Sequence, residues 1–295
     1  MQRIVSKIVN GAVVKHLAFR FFVTVFVTYE HKTQGTHFCG GVVFDATHVL
    51  TSAHCVESAP QRIIVRAFDN VNLYDMKTSE DYRVVAHAVH PLYNKNLLYY
   101  DFALLRVDRR FPSTFVEQTA FASAREQWRE NGPSDPLYVI GHGVTETGKI
   151  SEQLRVAKLA RVPKEKCAYS SRALGDDICA GGFYPCADGE CQDSCQGDSG
   201  GPLFQTRADA ASKNYYGNIT EGGVVVFGLT SRGAACGSNS TPGIYSPIHL
   251  ALSWFKAVAK NGTELHSPAK DETNMTKKQK RSVWQQIVDF LLKIF

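Results

Sequence analysis

The stretch FFVTVFVT at residues 21–28 is the most apolar run of the chain. Its eight residues are far fewer than the roughly 20 that a membrane-spanning helix needs. Valine, threonine and phenylalanine also favour a pleated, half-buried surface. The run therefore predicts a buried β-strand.

Similar short runs continue to about residue 250, separated by Gly, Pro, Asn or Asp. They are GVVF at 41–44, RIIVR at 62–66, FALLRV at 102–107, LYVI at 137–140 and GVVVFGLT at 223–230. Many short strands with such punctuation favour an all-β barrel or sandwich. Helical spacing of apolar residues appears at 246–260, where Leu250, Trp254, Phe255 and Val258 share one face. We therefore predict an all-β body followed by one C-terminal helix.

The cysteine count indicates the compartment. A chain of 295 residues that is 44% hydrophobic and 21% charged has ordinary globular composition and can bury a core without disulfides. An even set of eight cysteines therefore indicates disulfides formed in an oxidising compartment. The first residues, MQRIVSKIVNG, lack the apolar stretch of a secretory signal, so we expect the export signal to lie outside this chain.

The net charge of +5 is concentrated at the chain ends. Residues 1–7 contribute two cations, and residues 261–295 contribute six cations against four acids. Residues 8–260 hold 25 cations against 24 acids. Such a balanced body lacks the basic surface that nucleic acids require, so we predict no nucleic-acid partner.

The C-terminal segment changes character twice. Residues 261–281 are polar and basic, which predicts a disordered linker. Residues 282–295, SVWQQIVDFLLKIF, predict an amphipathic helix that begins with a capping box at Ser282 and Gln285. A basic stretch before such a helix suits a membrane surface or a partner groove. The alternatives are a helix that docks on its own domain or frays in solution, or removal of the helix by processing at Lys280–Arg281.

Three separated motifs supply the chemistry: TSAHC at 51–55, DFALL at 101–105 and CQGDSGGP at 195–202. A serine hydroxyl is a poor nucleophile near neutral pH and needs a general base within hydrogen-bond reach. That base needs a carboxylate to fix its tautomer and stabilise its charged form. Ser199, His54 and Asp101 fit these three roles.

Through these motifs, in the order His, Asp, Ser, the sequence resembles the trypsin-like serine endopeptidases of the chymotrypsin family over residues 8–260. The resemblance implies two six-stranded antiparallel β-barrels meeting at the triad, followed by the C-terminal helix. It also implies an acyl-enzyme on Ser199 and an oxyanion hole formed by the N–H groups of Gly197 and Ser199. It implies neither a cofactor nor a metal.

The resemblance also implies activation by cleavage. Lys7-Ile8-Val9-Asn10-Gly11 is similar to a zymogen cleavage site, which makes residues 1–7 an activation leader. The new ammonium group of Ile8 would then pair with Asp198. Arg3-Ile4-Val5 is a second candidate site, and a plain N-terminal strand is the alternative interpretation.

Asp193 lies six residues before Ser199, where trypsin-like enzymes carry the acid at the base of the primary pocket. With Ser194 beside it, Ser231 nearby and walls at Gly233 and Gly243, it implies cleavage after Arg or Lys. A solvated loop aspartate is the alternative interpretation.

The resemblance implies the disulfides Cys39–Cys55, Cys167–Cys179 and Cys195–Cys236 and leaves Cys186 with Cys191. A four-cysteine zinc site is the alternative for the cluster between 186 and 236, but no C-x-x-C motif supports it.

The sequence departs from the family at Arg232, where most members have tryptophan. One hypothesis is that this cation favours acidic substrate residues two to four positions before the scissile bond. The other is that Arg232 pairs with Asp193 and closes the pocket. His142 and Phe102 also replace usual residues, and both substitutions indicate packing variations. Pro242 predicts no sodium site, and the 69–81 loop lacks a calcium pattern.

We therefore predict a secreted, monomeric, trypsin-like zymogen that acts on proteins or peptides and meets protein inhibitors. Four glycosylation sequons, at Asn218, Asn239, Asn261 and Asn274, suit an exported protein. The competing hypothesis is a catalytically silent homologue that acts as a binding or regulatory module, with Arg232 filling its pocket.

Overall fold

The structure is a computed structural model of the chain. It describes residues 11–14, 19–29, 36–58, 60–68, 72–73, 79–127, 136–145, 149–163, 167, 176–181, 191–206, 223–233, 236–237, 241–262 and 265–266. Several predictions fall outside these residues. They concern Lys7, Ile8, Cys186, the sequons at Asn218, Asn239 and Asn274, most of the 261–281 linker and the 282–295 tail.

Fourteen strands lie within the described residues. In chain order they are β1 (Ala12–Val13), β2 (Phe22–Thr28), β3 (Thr36–Val43), β4 (His48–Thr51), β5 (Arg62–Phe68), β6 (Ser79–Val89), β7 (Ala103–Val107), β8 (Thr119–Phe121), β9 (Leu137–Gly141), β10 (Arg155–Arg161), β11 (Ile178–Gly181), β12 (Pro202–Thr206), β13 (Val224–Arg232) and β14 (Gly243–Pro247).

The first barrel closes in the order β2-β3-β4-β7-β6-β5. The apolar run at residues 21–28 supplies β2, and every residue of β2 except Thr28 is buried. Strand β6 instead alternates between buried and partly exposed residues, which is the pattern of a strand with one face toward the core. A buried cluster of mostly aliphatic residues fills this barrel.

The second barrel closes in the order β9-β10-β11-β14-β13-β12, because β9 also pairs with β10. Strand β1 adds to β10, and β8 pairs with β13 in parallel. The predicted fold of two six-stranded antiparallel barrels is therefore confirmed.

Three α-helices lie among the described residues: α1 (Ser113–Val116), α2 (Ala124–Gln127) and α3 (Leu252–Asn261). The C-terminal helix was predicted to begin at Ser246, but β14 continues through Pro247 and a 3-10 turn follows at Ile248–Leu250. Pairing of Ser246 with Leu229 on β13 outweighs the local helical pattern. Gly262 caps the C-terminus of helix α3. Its φ of 66° is a conformation that glycine adopts without strain, and its N–H donates to the Val258 carbonyl at 2.8 Å.

None of the helices in the described ranges is both long and apolar enough to cross a membrane.

Backbone contacts between the barrels position the site. The Gly40 N–H of β3 donates to the Ser199 carbonyl at 2.7 Å, and the Ser52 hydroxyl donates to the Thr230 carbonyl at 2.8 Å. Gly200 has a φ of 78°, and a Cβ there would meet Thr51 and the Gly40 carbonyl. The loop before β12 is therefore held tightly against the end of β4.

Candidate active site

His54 and Asp101 meet because their strands are paired. His54 lies in the 3-10 turn after β4, Asp101 comes two residues before β7, and Thr51 of β4 pairs with Ala103 of β7. The His54 ring donates through Nδ1 to Asp101 Oδ2 at 2.7 Å, and the His54 backbone N–H donates to Oδ1 at 2.9 Å. Asp101 is fully buried, so this carboxylate is fixed against the imidazole.

The second barrel supplies a third bond to this carboxylate. The Ser231 hydroxyl donates to Asp101 Oδ2 at 2.7 Å. The sequence predicts Ser231 as a pocket residue only, because nothing in the sequence connects it with a residue 130 positions away. Burial lowers the pKa of His54, but the charge of Asp101 and its hydrogen bond outweigh burial and leave that pKa raised.

Cys55 lies close to both His54 and the backbone of Ser199. The Cys55 sulfur is 3.8 Å from His54 Nε2 and 3.9 Å from the Ser199 carbonyl oxygen. Within the described part of the chain, no hydrogen bond joins the Ser199 hydroxyl to His54. Such bonds are often long in enzymes without substrate. The bonds to Asp101 orient the His54 ring.

A group of possible metal ligands also occurs here. Atoms of Cys39, His54 and Cys55 lie within 4.8 Å of one another. Both sulfurs belong to the Cys39–Cys55 disulfide and supply no thiolate, which is the form of cysteine that binds metals. These residues therefore do not form a metal site.

Asp198 is buried beneath the glycine-rich loop. Its Oδ1 accepts from the Gly143 N–H and its Oδ2 from the Cys195 N–H, both at 2.8 Å. A Cβ on Gly141 or Gly143 would collide with this carboxylate, so both positions require glycine. Burial raises the pKa of Asp198 to about 7, and no described cation pairs with it.

Gly197 shapes the same loop. Its φ of 95° lies in the region that favours glycine, and a Cβ there would come within 2.9 Å of the Phe38 ring. His142, which stands between Gly141 and Gly143, is buried against Phe22 and contacts the Ser151 carbonyl through Nδ1 at 3.0 Å. Burial lowers the pKa of His142 to about 4, so this ring is neutral at physiological pH.

A cavity of about 260 Å³ opens beside Ser199. Its lining includes Asp193, Ser194, Ser199, Ser231, Arg232, Gly233 and Gly243. The Asp193 carboxylate is only 3% exposed and accepts from the N–H groups of Ser194 at 2.8 Å and Gly237 at 3.0 Å. Burial raises the pKa of Asp193 to about 7. The solvated-loop interpretation of Asp193 is therefore wrong.

Tyr245 contacts the pocket residue Ser194, a role that sequence reasoning missed. Its hydroxyl is 2.9 Å from the Ser194 hydroxyl. A Cβ on Gly243 would come within 3.0 Å of both the Tyr245 hydroxyl and the Asp193 carboxylate. The one available signal was spacing, since Tyr245 follows Gly243 by two residues on β14 and therefore shares its face.

Arg232 turns away from Asp193. Its guanidinium forms an ion pair with Asp177, and Nη1 donates to the Leu98 carbonyl at 2.9 Å. Asp193 contacts the two backbone N–H groups described above rather than Arg232. The predicted closure of the pocket by an Arg232–Asp193 pair is therefore wrong, because a nearer carboxylate takes the guanidinium.

The structure contains the disulfides Cys39–Cys55, Cys167–Cys179 and Cys195–Cys236. Cys191 is also disulfide-bonded, and its expected partner Cys186 lies outside the described residues. These oxidised sulfurs exclude the four-cysteine zinc alternative, since that site needs thiolates. They also fit an extracellular protein.

Comparison with known proteins identifies the class. The sequence model of the family described as "Trypsin" matches residues 8–255. The chain therefore belongs to the trypsin family of serine proteases.

Three curated relatives are similar over about four fifths of the chain. Ovochymase of Halocynthia roretzi is 30% identical over 249 residues, covering 80% of this chain and 14% of ovochymase. The serine protease grass of Drosophila melanogaster is 28% identical over 255 residues, which are 79% of this chain and 63% of that protein. Phenoloxidase-activating factor 1 of Holotrichia diomphalia is 29% identical over 259 residues, covering 79% and 65% of the two chains. The match thus spans less than two thirds of each relative.

Proposed function

We propose that this chain is a serine endopeptidase that cleaves proteins or peptides after Arg or Lys. The observation that carries the proposal is the buried Asp101 carboxylate, which holds His54 by two hydrogen bonds next to Ser199. A carboxylate in this position keeps Nδ1 protonated and leaves Nε2 free to accept the serine proton.

In this mechanism the Ser199 hydroxyl attacks the carbonyl carbon of the scissile peptide bond while its proton passes to His54 Nε2. The resulting imidazolium is stabilised by Asp101 and then gives its proton to the leaving amine. Water, deprotonated by His54, cleaves the acyl-enzyme in the second half of the reaction. The N–H groups of Gly197 and Ser199 would stabilise the oxyanion, a contribution worth about 10²–10³ in rate per donor in related chemistry.

Asp193 supports the specificity for Arg and Lys. It is a buried carboxylate that lines the same cavity as Ser199, and its described partners are backbone N–H groups rather than a cation. A long cationic side chain would supply the missing charge, and the nearby wall positions Gly233 and Gly243 leave it room.

Asp198 supports activation of a zymogen by cleavage after Lys7. A buried carboxylate without a cation is costly, whereas a paired one is tolerable. The new ammonium of Ile8 would supply the cation and fix the loop that carries Gly197 and Ser199. The disulfides support a secreted enzyme, which would meet protein inhibitors in the same compartment and would act as a monomer.

The test is hydrolysis of Arg and Lys esters after cleavage behind Lys7, together with labelling by a phosphonylating reagent. We expect Ser199→Ala to abolish both, whereas Ser253→Ala, an exposed serine on α3, leaves both within twofold. Substitution of Lys7 by Gln should block activation, whereas Arg3→Gln, at the second candidate site, should not. A correctly cut, disulfide-intact protein that neither turns over these esters nor is labelled would instead be a silent binding module.

A further inference from the structure

We infer that Arg232 is a positioning residue whose charge is already neutralised by Asp177, and that it fixes the Leu98–Tyr100 turn that precedes Asp101. The enzyme therefore does not select acidic residues before the scissile bond, although it carries a cation at a position where the family resemblance implies tryptophan. This inference rests on the proposed function and adds to it the determinants of substrate selection outside the primary pocket.

The ion pair between Arg232 and Asp177 is buried. The side chains of Arg232 and Asp177 are only 4% and 3% exposed, so a substrate acid would have to compete with a carboxylate already inside the protein. Buried charges persist when they are paired. Because Asp177 immediately precedes β11 and Arg232 ends β13, both strands pairing with β14, the fold itself brings the two charges together.

The turn before Asp101 is strained. Leu98 and Tyr100 have φ values of 52° and 51° and are the non-glycine residues with positive φ in the described ranges. Such conformations are strained for non-glycine residues and persist only where surrounding contacts impose them. The turn runs directly into Asp101, so its shape bears on the site.

Contacts from two directions hold this turn. Arg232 Nη1 donates to the Leu98 carbonyl at 2.9 Å, and the Tyr100 ring stacks on His90 at 4.9 Å between centroids. The neighbouring residue Ser231 bonds Asp101, and its hydroxyl is 3.4 Å from Arg232 Nη1. The end of β13 thus fastens both the catalytic carboxylate and the turn before it.

The first test is a peptide-library profile at the positions two to four residues before the scissile bond. We expect the unmodified enzyme to show no preference for Asp or Glu there, and Asp177→Asn to gain at least a fivefold preference, because it removes the negative charge that is ion-paired with Arg232. An acidic preference in the unmodified enzyme, or none gained in Asp177→Asn, would overturn the inference.

The second test separates positioning from charge by comparing an Arg-containing tetrapeptide with a single-residue Arg ester. In Arg232→Met the kcat/KM for the tetrapeptide, divided by that for the ester, should fall about tenfold. The main cause should be a higher KM for the tetrapeptide. Arg232→Lys should still show no acidic preference in the peptide library. Its ratio of kcat/KM values should nevertheless fall, by less than in Arg232→Met, because an ammonium lacks the planar guanidinium that binds two partners at once. Arg106→Met, an exposed arginine on β7, is the matched control.

Titration with the phosphonylating reagent counts folded active sites in each variant, so loss of folding does not imitate loss of positioning. An unchanged ratio in Arg232→Met would contradict the positioning role. If the unmodified enzyme fails to hydrolyse the ester itself, the proposed function fails; if it hydrolyses the ester but the ratios do not move, only this inference fails.

Discussion

Three buried aspartates lie in the candidate site, and Asp101 differs from the other two in its hydrogen-bond partners. Asp101 is fully buried and contacts an imidazole and a serine hydroxyl. Asp193 and Asp198 each accept two backbone N–H groups and lack a described cation. Because desolvation penalises the charged form, the pKa of each of these last two carboxyls rises to about 7.

The raised pKa of Asp193 predicts that binding of a cationic substrate depends on pH. Below pH 7 the carboxyl is increasingly neutral and cannot pair with an Arg side chain, so KM for an Arg substrate should fall several-fold as pH rises from 5.5 to about 8 and then level off. Steady-state kinetics across this range measures the effect. Asp193→Asn is the control, in which KM should be high and nearly independent of pH. A KM that stays constant in the unmodified enzyme would show that Asp193 does not bind the substrate cation.

At the level of elements, strand pairing decides how the pocket is shaped. Strands β13 and β14 run side by side, with Leu229 opposite Ser246 and Arg232 opposite Ile244. Their ends carry pocket residues, and a disulfide from Cys195 to Cys236 closes the loop beside them. The pocket therefore depends on backbone positions as much as on side chains.

Gly243 tests this dependence. In Gly243→Ala the new Cβ would come within 3.0 Å of both the Asp193 carboxylate and the Tyr245 hydroxyl, so KM for Arg substrates should rise at least tenfold. Gly181→Ala on β11 is the matched control, because its Cβ would meet Pro242 at an ordinary 3.7 Å. Equal KM values for the two variants would argue against Gly243 as a wall of the substrate site.

Arg66 joins β5 to β6. Its side chain is 2% exposed, and its Nε and Nη2 bind the two oxygens of Asp81 at 2.7 and 3.0 Å while Nη1 donates to the Leu73 carbonyl at 3.1 Å. Arg66→Met should lower the free energy of unfolding by about 2 kcal/mol, because it removes charge-assisted bonds from a buried site. Denaturant unfolding measures this loss.

Arg83→Met on β6 is the comparison for Arg66→Met. The Arg83 side chain is 39% exposed and lies 3.8 Å from Asp108, so its removal should change stability by less than about 1 kcal/mol. Similar losses of unfolding free energy in the two variants would show that burial of the Arg66–Asp81 pair does not increase its contribution to stability.

At the scale of the whole molecule, the site exists only where the two barrels meet. Asp101 and His54 belong to the first barrel, whereas Ser199, Asp193 and Ser231 come from the second. The bonds from Ser231 to Asp101 and from Gly40 to Ser199 cross this boundary. Activation from a distant chain end would act through Asp198, which underlies the loop on the side of the second barrel.

Asp198 gives this activation a pH signature. Its pKa in the folded, uncut chain is about 7, above its unfolded value, so its contribution to stability is fully present below pH 4 and is lost as pH rises through 7. Cleavage after Lys7 should supply an ammonium partner and remove this loss. We therefore expect the Tm of uncut Lys7→Gln protein to drop more between pH 5 and 8 than that of the cut enzyme.

The control for this signature is Asp198→Asn within the Lys7→Gln background, which should show the shallower pH dependence of the cut enzyme. If the cut and uncut proteins lose Tm equally over this pH range, the Ile8 ammonium does not pair with Asp198.

The barrels and the three catalytic motifs were predictable because their signals are local. Strand alternation, glycine turns and the neighbours of His54 and Ser199 all lie within a few residues along the chain. The predicted start of the C-terminal helix was wrong because it depends on residues distant in the chain. Residues 246–247 fit a helical pattern, but they pair with β13 and so belong to β14.

The sequence by itself determined the family, the barrels and the identity of the proposed nucleophile, base and pocket acid, because these depend on residue types at fixed short spacings. Only the tertiary structure decided which partner each charge has. Arg232 could have faced Asp193 or the substrate, yet it pairs with Asp177, 55 positions away. The physical reason is that a buried charge takes the partner that strand pairing places within bonding distance, and separation along the chain does not give that distance.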